Sequence, residues 1–343
     1  MAKFKNLLRE IRLRLGKFLL DKKMINIDHL TYPKKILFLR QDGKIGDYIV
    51  SSFVFREIKE FNKNIKIGVV CTKQNAYLFE QNQYIDQLYF VKKRSIIDYI
   101  KCGISLRKEK YDLVIDPTII LKNRDLLLLR LINAKSYFGY QKEDYAIFDL
   151  NLSQYKIHFS EIYKIALEKA GISVRNIQYD VPFRQKESDE IQKFLDENRL
   201  GNYIAINFYG AARIKKVTDE NIPRYLSYLT KISPDKKFVL LSYPEVTQKL
   251  LELSKNYENI FVHNTENIFH TIELIKGCDQ LISTDTSSVH IASGFAKPII
   301  GIYKNDEESF NHWKPITDNL HILFYRENIN EISPKEIDPD WLI

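Results

Sequence analysis

The chain is organised around one segment, Leu281-Ile282-Ser283-Thr284-Asp285-Thr286-Ser287-Ser288-Val289-His290-Ile291-Ala292. Its first two residues are strand-like, and the hydroxyl-rich residues that follow favour a turn and a helix N-cap. The apolar residues from Val289 onward predict a helix that ends at Lys297-Pro298. A strand that leads into such a helix start is a potential anion site, because the first backbone N–H groups are unpaired and the helix dipole favours negative charge. The alternative is an ordinary capped helix of an α/β domain.

Length and composition limit the possible classes of protein. A chain of 343 residues with 45% hydrophobic content suggests two domains of ordinary size. No segment approaches the ~20 apolar residues that a membrane span needs, and no signal peptide is apparent. Three widely spaced cysteines suit a reducing cytoplasm and give no metal-ligand spacing. The net charge of +8 favours anionic partners, but no nucleic-acid-binding module is apparent.

Residues 2–23 predict a basic amphipathic helix. Its apolar residues recur at helical spacing: Phe4, Leu7, Leu8, Ile11, Leu15, Phe18 and Leu19. Its other faces carry cations: Lys3, Lys5, Arg9, Arg12, Arg14 and Lys17. Such a helix can lie on an anionic membrane surface or pack on the protein with its charged face in solvent. The sequence leaves both interpretations open.

A strand, a glycine-containing loop and a helix open the first α/β domain. The buried-strand run Lys35–Arg40 precedes a loop with Gly43, Lys44 and Gly46, where the glycines allow tight turns close to a ligand. Asp47 falls at the start of the next helix, where a carboxylate is electrostatically favoured. An ordinary first-turn acid is the alternative role for Asp47.

The strand–helix alternation repeats in the second half, where a strand at 203–208 leads into a basic turn at 209–216. The sequence therefore predicts two Rossmann-like, doubly wound α/β domains that face a central cleft, with ligands at the carboxyl ends of the strands. The predicted segments are a basic arm at 1–30, an acceptor domain at 31–182, a donor domain at 183–325 and a tail at 326–343 that folds back or frays.

Three motifs together resemble glycosyltransferase family 9, the ADP-heptose:lipopolysaccharide heptosyltransferases. The first is the strand Ile36–Arg40 followed by Gly46-Asp47. The second is an R-x-x-K motif at Arg213 and Lys216, and the third runs from Asp285-Thr286 through His290 to Lys297-Pro298. The resemblance covers most of residues 33–325. It implies a GT-B fold and an inverting transfer that needs neither a metal ion nor another cofactor.

The resemblance also implies a role for each matching residue. Asp47 would be the general base that deprotonates the acceptor hydroxyl. Lys216 would neutralise charge on the departing diphosphate, and Arg213 would assist it or orient the turn. The remaining donor-binding residues would be Asp285, Thr286, Ser287 and Ser288 at the diphosphate, His290 against the donor and, by a loose match, Glu245 at the ribose. Gly43, Lys44 and Gly46 would form the loop on the acceptor side.

The implied partners are ADP-heptose and a lipid-linked core oligosaccharide. The basic residues 2–23 would add an anionic membrane surface, on the cytoplasmic face of a bacterial inner membrane. The chain departs from the family on the donor side, with Ser287 where a glycine is usual and Val217-Thr218 in place of an aromatic–proline pair. Two alternatives therefore stay open. One is the transfer of another nucleotide-activated hexose or N-acetylhexosamine to a surface glycan, and the other is a non-catalytic nucleotide-sugar-binding homologue.

Overall fold

The structure is a computed structural model that describes residues 2–23, 32–41 and 44–343. In the first helix, side chains are described from Glu10 onward. The chain divides into two compact units, Met1–Ile177 and Gln178–Ile343. No helix in the described ranges has both the length and the apolar character to span a bilayer.

The first unit alternates strands and helices. Its strands are β1 Lys35–Leu39, β2 Lys66–Cys71, β3 Gln87–Phe90, β4 Leu113–Asp116, β5 Ser136–Tyr140 and β6 Leu150–Leu152. Its helices are α1 Ala2–Leu20, α2 Ile45–Ser51, α3 Phe53–Phe61, α4 Ile96–Glu109, α5 Asn123–Ile132 and α6 Phe159–Lys169, with a 3-10 turn at Ala76–Leu78.

The second unit repeats this alternation. Its strands are β7 Ile204–Asn207, β8 Phe238–Leu240, β9 Ile260–Val262, β10 Gln280–Thr284, β11 Ile299–Lys304 and β12 Leu320–Tyr325. Its helices are α7 Gln185–Glu197, α8 Ile222–Ile232, α9 Pro244–Ser254, α10 Ile268–Gly277, α11 Ser287–Gly294 and α12 Glu307–Trp313. Its 3-10 turns are Arg213–Lys215, Ile329–Glu331, Pro334–Glu336 and Pro339–Trp341.

Both sheets are parallel and share one topology. The first follows the order β3-β2-β1-β4-β5-β6, and the second follows β12-β11-β10-β7-β8-β9. Central strands such as β1, β4, β7 and β10 are almost entirely buried, as expected for parallel strands with helices on both faces. The strand order reverses between β1 and β4 and between β7 and β10. Ligands of open α/β sheets bind at such switch points, beyond the carboxyl ends of the strands.

The C-terminal tail folds back onto the second unit. Three of its isoleucines are buried in the apolar cluster of that unit: Ile329, Ile332 and Ile337. The Tyr225 hydroxyl on α8 donates a hydrogen bond of 3.0 Å to the carbonyl of Ile332. The tail is therefore part of the folded unit.

Helix α1 packs against the first unit. The Asn123 amide at the start of α5 donates to the carbonyl of Arg12 at 2.7 Å, and the Asp21 carboxylate accepts from the backbone N–H groups of Ala146 and Ile147 at 2.9 Å. Apolar side chains nevertheless remain in solvent on one side of the helix, at Ile11, Leu15, Phe18 and Leu19. The helix is thus docked on the protein and still exposes an apolar face.

Candidate functional site

The switch point of the second sheet brings two polar turns together through Asn207. This residue ends β7 and is buried, and its Nδ2 lies 3.2 Å from Ser283 Oγ, 3.0 Å from Thr286 Oγ1 and 3.3 Å from Ser288 Oγ. Its Oδ1 accepts from the backbone N–H of Tyr209 at 3.1 Å. Asn207 therefore fixes the turn after β7 to the turn after β10, a role that no local sequence pattern indicates.

The turn after β10 presents the N-terminus of α11. Thr286 is the N-cap, and its Oγ1 accepts from the backbone N–H of Ser288 at 3.3 Å. Asp285, Thr286 and Ser287 are half-buried, whereas Ser288 is buried. A capped helix start with hydroxyl groups and partly accessible residues has the chemistry of an anion site.

Lys215 supplies a cation at this helix start. Its Nζ forms an ion pair with Asp285 Oδ2, and the two side chains are 29% and 14% exposed. The turn that carries Lys215 is closed by a bond of 3.0 Å from the Gly210 N–H to the Lys215 carbonyl. A Cβ added at Gly210 would lie 2.4 Å from that carbonyl oxygen, so this tight closure requires a glycine.

Lys216, the lysine expected from sequence to meet the diphosphate, is held by its backbone. It forms an antiparallel bridge with Tyr209, and its carbonyl accepts from Asn330 Nδ2 at 3.0 Å. Its side chain is half-buried, and that of Arg213 is exposed. Neither forms an ion pair with any residue in the described ranges. In the basic turn, Lys215 is therefore paired with Asp285, whereas the charges of Lys216 and Arg213 remain available to an anionic ligand.

His290 lies in the first turn of α11 and has a neutral imidazole. Its side chain is buried, and its ring lies 5.8 Å from that of Trp313. Burial, and then the charge of Lys215, lowers the pKa of His290 to about 4. Its Nδ1 has no hydrogen-bond partner in the part of the chain that the structure describes. At neutral pH the imidazole carries no charge and retains an unused polar atom.

Two tyrosines that belong to none of the sequence motifs lie within electrostatic reach of Asp285. Tyr303 on β11 and Tyr325 on β12 are buried, and their hydroxyls have no hydrogen-bond partner among the described residues. Burial, and then the charge of Asp285, raises both pKa values, to about 12 for Tyr325. Because unsatisfied buried hydroxyls are costly, such groups are expected where a bound ligand or water completes the bonding.

Glu245, the loosest of the expected donor contacts, lies in the first turn of α9 and is exposed. Tyr243, two residues earlier, packs edge-on against Tyr209 with ring centroids 5.6 Å apart. The structure thus groups Asp285, the hydroxyl turn and His290 around Lys215. It shows no contact between Glu245 and that group.

In the first unit, Asp47 lies in the first turn of α2 and is half-buried. Its carbonyl accepts from Ser51 Oγ at 2.8 Å, and Ser51 in turn accepts from the buried Arg40 guanidinium at 3.2 Å. Arg40 thereby connects the end of β1 to α2. In the expected acceptor-side loop, Lys44 is exposed and Gly46 is half-buried, while Gly43 lies outside the described residues.

A second buried polar group lies at the switch point of the first sheet. Asp116 ends β4, and its Oδ1 accepts from the Thr118 hydroxyl at 2.7 Å, while Oδ2 has no partner among the described residues. Burial is the main cause that raises the pKa of Asp116 to about 6. The buried Lys142 donates to the carbonyl oxygens of Ile119 and Tyr140 at 2.8 and 2.9 Å. The described residues contain no group of three or more His, Cys, Asp or Glu side chains placed to hold a metal ion.

A doubly wound parallel sheet with a helix N-terminus and a lysine at its switch point is typical of α/β proteins that bind nucleotides and other phosphorylated ligands. The particular family follows from comparison. The model of glycosyltransferase family 9 (heptosyltransferase) matches residues 100–336. The match covers more than half of the chain, and the chain therefore belongs to glycosyltransferase family 9.

Similar proteins agree with this family. The "Putative lipopolysaccharide heptosyltransferase 4" of Escherichia coli K12 is 24% identical, over 97% of this chain and 92% of its own length. The structure of a glycosyl transferase family 9 protein from Veillonella parvula has a TM-score of 0.72 and 17% identity, and covers 92% of this chain and 97% of its own. The structure of E. coli ADP-heptose lps heptosyltransferase II has a TM-score of 0.68 and 16% identity, and covers 90% of this chain and 97% of its own.

These findings confirm three predictions from the sequence: the family, the GT-B class of two Rossmann-like domains, and the enzyme class. The two solved structures support the fold alone at this level of identity. The protein is a glycosyltransferase of the heptosyltransferase family.

Proposed function

We propose that the protein transfers heptose from ADP-heptose to the core of a lipopolysaccharide or lipooligosaccharide, with inversion and without a metal ion or other cofactor. The observation that carries this proposal is the group at the β7–β10 switch point, where Lys215 and Asp285 lie beside the capped start of α11. The ADP-heptose named for the similar E. coli enzyme supports the donor, and the name of the E. coli relative supports the acceptor.

The donor diphosphate binds at the start of α11, with Thr286, Ser287 and Ser288 as its polar contacts. As the bond from the anomeric carbon to the diphosphate breaks, negative charge grows on the leaving phosphate, and a nearby cation lowers the barrier. The family resemblance implies this role for Lys216. The ion pair with Asp285 holds Lys215 beside the same helix start, so we assign the main contribution to Lys215. Lys216 and Arg213 then add positive charge from the rest of the turn.

His290 and Glu245 complete the donor contacts in this proposal. The neutral imidazole of His290 offers Nδ1 as a hydrogen-bonding group without adding charge beside Lys215. Glu245 contacts the ribose hydroxyls, and its exposure in the first turn of α9 leaves it accessible to a ligand.

Asp47 is the proposed general base. Its carboxylate takes the proton from the acceptor hydroxyl while that oxygen forms a bond to the anomeric carbon, and the nucleoside diphosphate leaves from the opposite face. The contacts of Arg40 with α2 support a fixed position for this turn. Gly43, Lys44 and Gly46 form the acceptor-side loop, in which the exposed Lys44 suits an acidic sugar.

The protein acts on the cytoplasmic face of a bacterial inner membrane, with residues 2–23 on the anionic lipid surface. The exposed Phe18 and Leu15 of α1 and the cations of this helix support the contact. Removal of residues 2–23 should weaken binding of the protein to anionic vesicles and spare turnover of a soluble acceptor. Unchanged sedimentation with vesicles would rule out this membrane role.

A panel of donors tests the proposal. Purified full-length protein is incubated with ADP-heptose, or with UDP- or GDP-activated hexoses and N-acetylhexosamines, and a truncated core acceptor, and nucleoside diphosphate release is measured. We expect ADP release that requires both substrates. Release from another donor would favour transfer of a different sugar, an alternative that the Ser287 side chain at the helix start supports. Donor binding without product would indicate a non-catalytic homologue.

A further inference from the structure

Helix α4 of the first unit carries an outward apolar stripe. Ile96, Ile97, Ile100 and Ile104 are 58%, 65%, 36% and 50% exposed, and helix geometry places them within an arc of about 100°. Single exposed apolar residues are common on protein surfaces, but four neighbouring isoleucines form a patch that needs an explanation.

The fold does not need this stripe to hold α4 in place. The opposite side of the helix is buried through Tyr99, Cys102, Gly103 and Leu106. A Cβ added at Gly103 would lie 2.6 Å from the Cβ of Leu131 on α5, which shows how closely the two helices pack. Since the inner face anchors the helix, the outer isoleucines are available for another contact.

The surroundings of the stripe are strongly basic. Seven exposed cations precede, accompany or follow the helix: Lys92, Lys93, Arg94, Lys101, Arg107, Lys108 and Lys110. Residues 92–110 contain only two acids, Asp98 and Glu109, so their net charge is +5. Glu109 is itself paired with Lys35 at 3.3 Å. A cavity of about 640 Å³ opens near the start of α4, where Lys73 adds a further positive charge to those of Lys92 and Lys93.

Apolar side chains surrounded by cations match the chemistry of an anionic bilayer surface, where isoleucines enter the acyl boundary and lysines meet the headgroups. We infer that the outer face of α4 is a membrane-contacting surface, separate from residues 2–23. It depends on different residues from the transfer chemistry, so either assignment can fail without the other.

The test uses the full-length protein and vesicles of phosphatidylcholine with or without phosphatidylglycerol. The double variant Ile97→Gln/Ile104→Gln removes two of the four isoleucines of the stripe. Both positions are exposed and glutamine favours a helix, so α4 should stay folded. We expect its partition coefficient on the anionic vesicles to fall by about tenfold or more. The matched control Ile316→Gln/Ile343→Gln changes two exposed isoleucines of the second unit and should bind like the parent protein.

Charge reversal tests the electrostatic part. Lys101→Glu/Arg107→Glu should weaken binding to the anionic vesicles, and the parent protein should bind less as salt increases. Equal sedimentation of the parent protein and Ile97→Gln/Ile104→Gln, or no vesicle binding by either, would overturn the inference. If light scattering finds the parent protein to be a dimer and Ile97→Gln/Ile104→Gln to be a monomer with unchanged vesicle binding, α4 would instead be a surface for self-association. Turnover of a soluble acceptor should be the same in all of these variants.

Discussion

Lys215 offers the sharpest test of the donor site, because the adjacent Lys216 provides a matched control. In Lys215→Met the cation beside α11 is lost, whereas Lys216→Met removes an equal charge that forms no ion pair with a described residue. The partly exposed Lys215–Asp285 pair should contribute about 1 kcal/mol to stability, so both variants should fold.

The effect on catalysis should be larger. Removal of one preorganised group that stabilises transition-state charge costs about 3 kcal/mol, or roughly a hundredfold in kcat. We expect that loss for Lys215→Met and a smaller one, about tenfold, for Lys216→Met, because the ion pair with Asp285 holds the charge of Lys215, and not that of Lys216, beside α11.

Three measurements separate catalytic from structural effects. Single-turnover ADP release gives the rate of transfer, calorimetry with ADP gives donor affinity, and thermal unfolding confirms the fold. NMR titration of His290 reports local electrostatics, because loss of the Lys215 charge should move its pKa up from about 4, while burial keeps it below 6.5. A full rate in Lys215→Met together with a hundredfold loss in Lys216→Met would refute our assignment and return the role to Lys216.

Other predictions concern the same unit. Because His290 has a pKa of about 4 when folded and an ordinary value of 6.5, only the unfolded chain binds its proton between these pH values. The stability that is present above pH 6.5 should therefore fall by about 3 kcal/mol towards pH 4. In His290→Gln, the free energy of unfolding measured with guanidinium should depend less steeply on pH between 4 and 6.5. An unchanged dependence on pH would contradict the pKa shift. Gly210→Ala should lower the free energy of unfolding by about 2 kcal/mol and weaken ADP binding, because its Cβ would meet the Lys215 carbonyl. The control Gly201→Ala, whose Cβ would have no atom within 4 Å, should leave thermal unfolding unchanged. Asn207→Ala should lower donor affinity about tenfold in calorimetry by freeing the two turns, and unchanged affinity would show that they hold their positions without it.

Much of the fold could be predicted from local patterns. The apolar run of β1 and the hydroxyl residues before α11 are strong signals, because continuous burial and helix capping depend on adjacent residues. Short elements give weaker signals, because they contain few residues over which a pattern can repeat. In the segment 304–318, Asp306 caps the seven-residue helix α12 by accepting from the backbone N–H of Ser309. The segment Ala76–Leu78 forms only a 3-10 turn.

The candidate site shows where sequence information ends. The strand, the capping residues and the helix around Asp285 are visible in the sequence as a local pattern. Asn207 gave no signal because its role depends on the pairing of β7 with β10, which brings distant residues together. The choice between Lys215 and Lys216 depends on the 3-10 turn and the bridge to Tyr209, which set the direction of each side chain.

The most direct test of the proposed transfer is ADP release by Asp47→Asn, with ADP-heptose and a truncated core acceptor. Asparagine keeps the size of the side chain but cannot take up the proton of the acceptor hydroxyl. The rate of ADP release should therefore fall by about a thousandfold. ADP affinity and thermal stability should match the parent protein. A folded Asp47→Asn variant that releases ADP at the parent rate would contradict the account.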